Sequence, residues 1–225
     1  KPQRTTAYEV GFRQQIGDNL AFDITAYYKE LRDYVKLVNI FPNPNAEHGT
    51  YAMYVNGDYG TVKGLSFSVD LRRTNRVAAS ASYTLQYAGA TGSTADTEFR
   101  IAWTGSNTIT YVSPTDYDQR HTGNVNVDIR TNPTDGPEIM GVHPFGNMGL
   151  NILFRFGSGV AYTHCDVASA VWPGMWWPHP TEPLNSSTRP WTSCLDLRLD
   201  KSITVGTIKI TPYLWIINAL DSKIV

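Results

Sequence analysis

Apolar and polar residues alternate one by one through about eight stretches of this chain. Val10, Phe12 and Ile16 alternate with Glu9, Gly11, Arg13 and Gln15; Leu20, Phe22, Ile24 and Ala26 alternate with Ala21, Asp23, Thr25 and Tyr27. The same pattern runs through Leu65–Arg72, Ala79–Tyr87, Asn124–Arg130, Leu150–Phe156, Leu195–Asp200 and Thr207–Ile216. A side-chain period of two gives one apolar and one polar face, which is the signature of a half-buried β-strand. No segment of comparable length has helical spacing. The spacing therefore predicts an all-β chain.

The connections alternate too. Short turns are expected at Gly17-Asp18-Asn19, Thr74-Asn75-Arg76 and Val205-Gly206-Thr207, and a middling one from Thr131 to Gly146. Long loops are expected at Asn39–Asn56, Ala88–Thr115 and Gly157–Arg189. Short and long in turn describes an antiparallel up-and-down meander with its long loops at one end. That is the layout of an outer-membrane barrel, with short periplasmic turns and long extracellular loops.

A soluble barrel with its apolar face inward shares the alternation. Three features favour the membrane. Charged residues are 17% of the 225, below the roughly 25% of soluble domains. The polar face is mostly Ser, Thr, Asn and Gln, with opposite signs close together, as in Asp128/Arg130 and Asp196/Arg198/Asp200. The alternating runs also approach the 9–11 residues, roughly, that a tilted strand needs to cross a bilayer. Finally, Tyr27, Tyr28, Tyr34, Tyr54, Tyr59, Tyr111, Tyr117, Tyr162 and Trp191 gather near strand ends, where interfacial girdles sit. A net charge of -1 leaves no basic footprint for nucleic acid.

Four stretches, in order, resemble the barrel of TonB-dependent outer-membrane receptors. They are TTAYEVGFRQQIGDNLAFDITAYYKELRDYV, YDQRHTGNVNVDIR, NMGLNILFRFGSGVAYT and LDLRLDKSITVGTIKITPYLWIINALDSK. The resemblance implies part of a barrel in the bacterial outer membrane, over residues 1–225, without the family's plug domain or its terminal strands. It implies as partners the membrane lipid, the rest of the barrel with a plug, and the TonB system. It also implies a transporter that binds a scarce ligand at its outer loops and imports it. A structural or adhesive barrel without transport is the alternative. Eight strands closing on themselves is a further alternative, since eight is a permitted count.

Several residues stand out as candidate sites. Asp116, Asp118 and His121 have the chemistry of a metal or acid–base site; as rim residues pairing with Arg120 they need no such role, and they are kept as candidate ligand contacts at the mouth. Trp172, Trp176 and Trp177, fixed by prolines in the longest loop, suit contact with a ligand. Arg13, Asp70, Arg72, Arg155, Asp196, Arg198 and Lys209 fall on the polar parity and are expected to line the lumen. Cys165 and Cys194 are the only cysteines, and a disulfide between them would tether the long loop. Zinc at His164, Cys165, Asp166, His179 and Cys194 is the other reading of that group. No nucleophile motif, phosphate loop or HExxH is present, so neither an enzyme, a cofactor nor a resident metal is expected.

Overall fold

The computed structural model describes residues 1–40, 51–97, 111–139, 143–166, 170–172, 175–176 and 179–223. Eight strands form one antiparallel meander, each bonded to the next in the chain. They are β1 (Arg4–Ile16), β2 (Leu20–Ile40), β3 (Tyr51–Thr74), β4 (Val77–Ala90), β5 (His121–Arg130), β6 (Met148–Gly157), β7 (Thr192–Lys201) and β8 (Tyr213–Ile216). A two-residue strand, Ser113–Pro114, adds to the outer end of β4. β1 and β8 are the two edges and do not pair with each other. The sheet is therefore an open barrel wall, and the closed eight-stranded barrel is excluded.

The register puts the alternation into rows. Phe12 faces Ile24, Ile24 faces Phe67, and Phe67 faces Tyr83. Further round, Ala79 faces Val127, Val127 faces Ile152, and Ile152 faces Leu197. The opposite parity gives polar rows, such as Asp23–Ser68–Ser82–Asn124–Arg155. A one-residue slip would exchange the two faces, so eight concordant strands fix this register.

Burial is inverted relative to a soluble domain. Among the described residues, Ala88 and Ala161 are the buried hydrophobics, whereas Ser113, Thr115, Asp118, Ser158, Asn185, Asp196 and Asp200 are buried polar residues. Val10 is 72% exposed and Leu214 59%. The accessible surface is 15422 Å², against about 10,000 Å² for a compact soluble chain of this mass. An apolar face left in the open in this way is matched to hydrocarbon rather than to water.

Two expectations about length need correction. The expected loop from Asn39 to Asn56 is strand at both its ends: β2 runs to Ile40, and β3 starts at Tyr51. Val35, Leu37 and Val38 pair with Asn56, Tyr54 and Met53, so the hairpin continues well past the 9–11 residues, roughly, that cross a bilayer. The ladder shifts between Leu31 and Val35, where Asp33 takes φ 58°. That bulge re-aims the upper hairpin.

The expected eighth strand is also broken. Ile203–Val205 and Ile208–Ile210 continue the hairpin of β7 and Tyr213–Ile216 in the same register around Gly206 (φ 63°), with the strand interrupted at Thr211 and Pro212. Pro212 causes the break. It has no N–H to give the ladder, and its carbonyl accepts the Lys201 N–H at 3.1 Å. Lys209 faces Thr204 near the turn of this hairpin, on the parity of Arg198 and Asp200. The expected girdle also divides by parity. Tyr28 lies in the outward row with Tyr8, whereas Tyr27 turns inward and donates to Gln86 Oε1 at 2.9 Å.

Candidate functional site

The polar face carries ion pairs that cross from strand to strand. Arg13 Nε lies 3.3 Å from Asp23 Oδ2, between β1 and β2. Arg155 Nη2 lies 2.6 Å from Asp196 Oδ2, between β6 and β7. At the end with the short turns, Asp128 accepts from Arg73 and from Arg130 Nε at 3.1 Å, while Arg130 also reaches Asp200 at 3.6 Å. Arg198 lies over the Tyr213 ring, 4.8 Å from its centroid. Asp70 and Arg72 line a concavity of about 310 Å³ with Arg13 and Asp23. Neutral pairs fill the wall between: Asn151 Nδ2 donates to Asn126 Oδ1 at 2.8 Å, and Ser82 Oγ donates to Asn124 Oδ1 at 2.9 Å.

The outer rim is built from side chains rather than from a ladder. Asp118 is 3% exposed. Its carboxylate accepts the Ala88 N–H at 2.8 Å and meets Arg120 Nε at 3.4 Å. Asp116 ties two loops together: its N–H donates to Ser93 Oγ at 2.9 Å, and its Oδ1 accepts from Asn185 Nδ2 at 2.7 Å. Asn185, also buried, donates from the same nitrogen to the Pro114 carbonyl at 2.8 Å, and Thr163 Oγ1 accepts its N–H at 2.8 Å. Gln119 Nε2 donates to the Ser158 carbonyl at 2.7 Å, and the His121 N–H donates to Ser158 Oγ at 3.1 Å. These bonds join segments of chain up to 71 residues apart.

His121 does not join Asp116 and Asp118. It opens β5 opposite Leu85, in an outward row. Its Nδ1 shares a 2.7 Å hydrogen bond with Tyr83 OH, and its ring stacks on Trp191 with centroids 5.2 Å apart. Phe156 stacks on the same tyrosine at 6.4 Å. Strand parity separates the three residues: the two aspartates precede the ladder, and His121 is its first outward position. Among the described residues, no three His, Cys, Asp or Glu side chains gather as a metal site.

The longest loop climbs as short paired steps. Ala161–Tyr162 pairs with Ser187–Thr188, Cys165–Asp166 with His179–Pro180, and Ala170–Trp172 with Met175–Trp176. This puts Trp172 and Trp176 on the backbone of the uppermost described step, while Trp177 lies outside the described residues. Glu182 clamps a lower step. Its Oε1 accepts the His164 N–H at 2.6 Å, and its Oε2 accepts from Ser187 Oγ at 2.8 Å. These two bonds, that from the His164 backbone first, hold its carboxyl below the usual value.

The expected disulfide is not formed: both thiols are free. Cys194 faces Arg155 in the main sheet, and its Sγ lies 3.4 Å from Asp196 Oδ1. Cys165 pairs with Pro180 up the loop, and its Sγ turns to the Thr163 carbonyl at 3.6 Å. The two belong to different rungs and find different partners. Asn185, Ser158 and Thr163 had no distinguishing signal in the sequence. Only the folded path of the loop brings them to Asp116 and His121.

Inverted burial, parity-sorted charge and loops gathered at one end are now in place. The family described as "TonB dependent receptor-like, beta-barrel" matches residues 1–208. The chain belongs to the TonB-dependent receptor β-barrel family. Membership implies a bacterial outer-membrane setting, and a plug domain and TonB partnership for the family as a whole. The family is one of receptors and transporters rather than enzymes. Among solved structures, the chain is similar to the outer membrane transporter YddB from Escherichia coli, with a TM-score of 0.58 and 13% identity. That match covers 99% of this chain and 29% of the transporter, and at this identity it shows the fold alone. A comparison with curated proteins matches none.

Proposed function

We propose that this barrel wall serves a TonB-dependent transporter that binds a scarce ligand at its outer loops and imports it into the periplasm. The observation that carries the reading is the rim. Loops from either side of β5 are tied by Asp116 and Asn185 into one mouth above a polar, charge-paired face. Ligand contact is assigned to Trp172, Trp176 and Trp177 of the longest loop, with Asp116 and Asp118 holding the rim and His121 facing outward from it. Arg13, Asp70, Arg72, Arg155, Asp196 and Arg198 form the wall along which a plug and a passing ligand would lie.

The test uses cells carrying the intact protein, offered labelled ferric chelates, oligosaccharides and peptides in turn. One class should accumulate in energised cells and fail to accumulate once the proton gradient is collapsed. Deleting residues 170–180 should abolish its binding to the cell surface while the barrel remains in the membrane. Binding without energy-dependent accumulation of any class would favour the adhesive barrel instead.

A further inference from the structure

Near the mouth, the inner face of the wall stops being polar. Closer to the short turns, the inward parity carries Asp23, Ser68 and Ser82. Towards the rim the same parity, that of Tyr27, carries Leu31 opposite Gly60 and Val62 opposite Ala88. Ala88 is buried. An apolar island on a water-facing wall needs a cover, and residues 91–97 supply one as a strap running from β4 to β2. The Thr91 N–H donates to the Tyr59 carbonyl at 2.9 Å, the Thr91 hydroxyl donates to Asp58 Oδ1 at 2.8 Å, and the Leu37 N–H donates to the Ala95 carbonyl at 2.6 Å. The bond from the Asp116 N–H to Ser93 Oγ ties the strap to the rim.

The strap does not fill the space beneath it. A cavity of about 190 Å³ remains between strap and wall, with Leu31 and Val62 as its branched apolar lining. It stays open because Gly60, Ala88, Ala90 and Ala95, which also line it, carry at most one side-chain carbon each. Close-packed interiors leave few voids larger than a water molecule, and an apolar cavity of about 150 Å³ stays dry and takes up benzene. Among the described residues, every buried side-chain nitrogen and oxygen already has a partner. The cavity therefore has no orphan donor or acceptor to meet a polar group, and a polar group entering it would lose its hydration without return.

We propose that this cavity is a subsite for one compact apolar group of the ligand, a single aromatic ring or a branched aliphatic chain, held by burial alone. The volume sets the size of that group, and the satisfied polar inventory sets its chemistry. The ligand class it selects is one that ends in such a group, as a peptide with an apolar side chain does and a saccharide does not. The assignment deepens the import reading and rests on it for the ligand's route past the mouth, but the binding itself needs no transport.

The test uses the intact protein in mild detergent, with saturation-transfer NMR reading the binding of four water-soluble tripeptides: Gly-Phe-Gly, Gly-Leu-Gly, Gly-Lys-Gly and Gly-Asp-Gly. The first two should bind about tenfold more tightly than the last two, the lower end of what burying one such side chain supplies. Ala88→Leu, which fills the cavity from the wall, should erase that preference, and Ser82→Thr, further down the same face, should leave it intact. If Ala88→Leu does not reach the membrane, Ala95→Leu fills the cavity from the strap and should erase the preference in its place. Equal binding of all four tripeptides, or a preference that survives Ala95→Leu, would overturn the proposal. Import is scored separately in energised cells. A protein that selects the phenylalanine and leucine tripeptides but accumulates nothing would sustain the subsite and overturn the import reading alone.

Discussion

The wall and the rim are held together by different means. In the wall around Phe67, Val127 and Ile152, each strand bonds continuously to its neighbours, and side chains matter mainly by which face they occupy. At the rim, single side chains carry the connections: Asp116 to Asn185, Asp118 to Ala88, and Glu182 to His164. A ladder spreads its cohesion over many backbone bonds, so one altered side chain leaves it standing unless the residue is on the wrong face. A rim tied by a few buried polar atoms loses a whole connection with each one.

That contrast is most sharply tested on the lipid face. Phe67→Arg should destabilise the wall by about 2–4 kcal/mol in urea unfolding from lipid vesicles, the cost of a cation near the midplane. Ser82→Arg, on the lumen face, should cost far less. Equal losses would mean that the two faces are wrongly assigned.

A smaller effect is expected inside the wall at Gly64. A Cβ there would sit hard against the Leu85 carbonyl oxygen and 2.6 Å from Tyr27 Oη. Gly64→Ala should cost about 1–3 kcal/mol by overpacking, and Tyr27→Phe alone should not relieve it, because the Leu85 carbonyl and the ring remain. A neutral Gly64→Ala by the same unfolding measurement would remove close packing as the reason for this glycine.

At the rim, Asn185→Ala leaves the Asp116 carboxylate without its partner and should loosen the mouth by about 1–3 kcal/mol. The expected readout is faster proteolysis of the loops with the unfolding midpoint of the wall unchanged. A matching drop in both would show that rim and wall unfold as one unit. The mildest effect should come from pH. The Glu182 carboxyl is lowered in the folded loop, chiefly by the His164 N–H. Its contribution is therefore complete above the usual carboxylate value and is lost as pH falls through the lower, folded one. Amide exchange at His164 should accelerate over that acid window, and Glu182→Gln should flatten the response. An unchanged acid response in the variant would point to another group.

The sequence determined the parity of the wall. Period two is local, and a covalent alternation cannot be rearranged by tertiary contacts without exposing charge to lipid, so all-β architecture, strand order and the outward set were legible from Val10 to Ile216. The polar parity of Arg13, Asp70, Arg72, Arg155, Asp196, Arg198 and Lys209 was read from the same alternation, which keeps its register across Pro212. Strand reach was less legible, since β2 and β3 continue beyond the bilayer on pairing with each other. Only the tertiary structure decided the rim. DYDQRH reads as one cluster, yet ladder parity sends His121 out to Trp191, while Asp116 and Asp118 fold back to Asn185 and Ala88. Contacts between residues about 70 apart depend on the path of the loops, and no local pattern encodes that path.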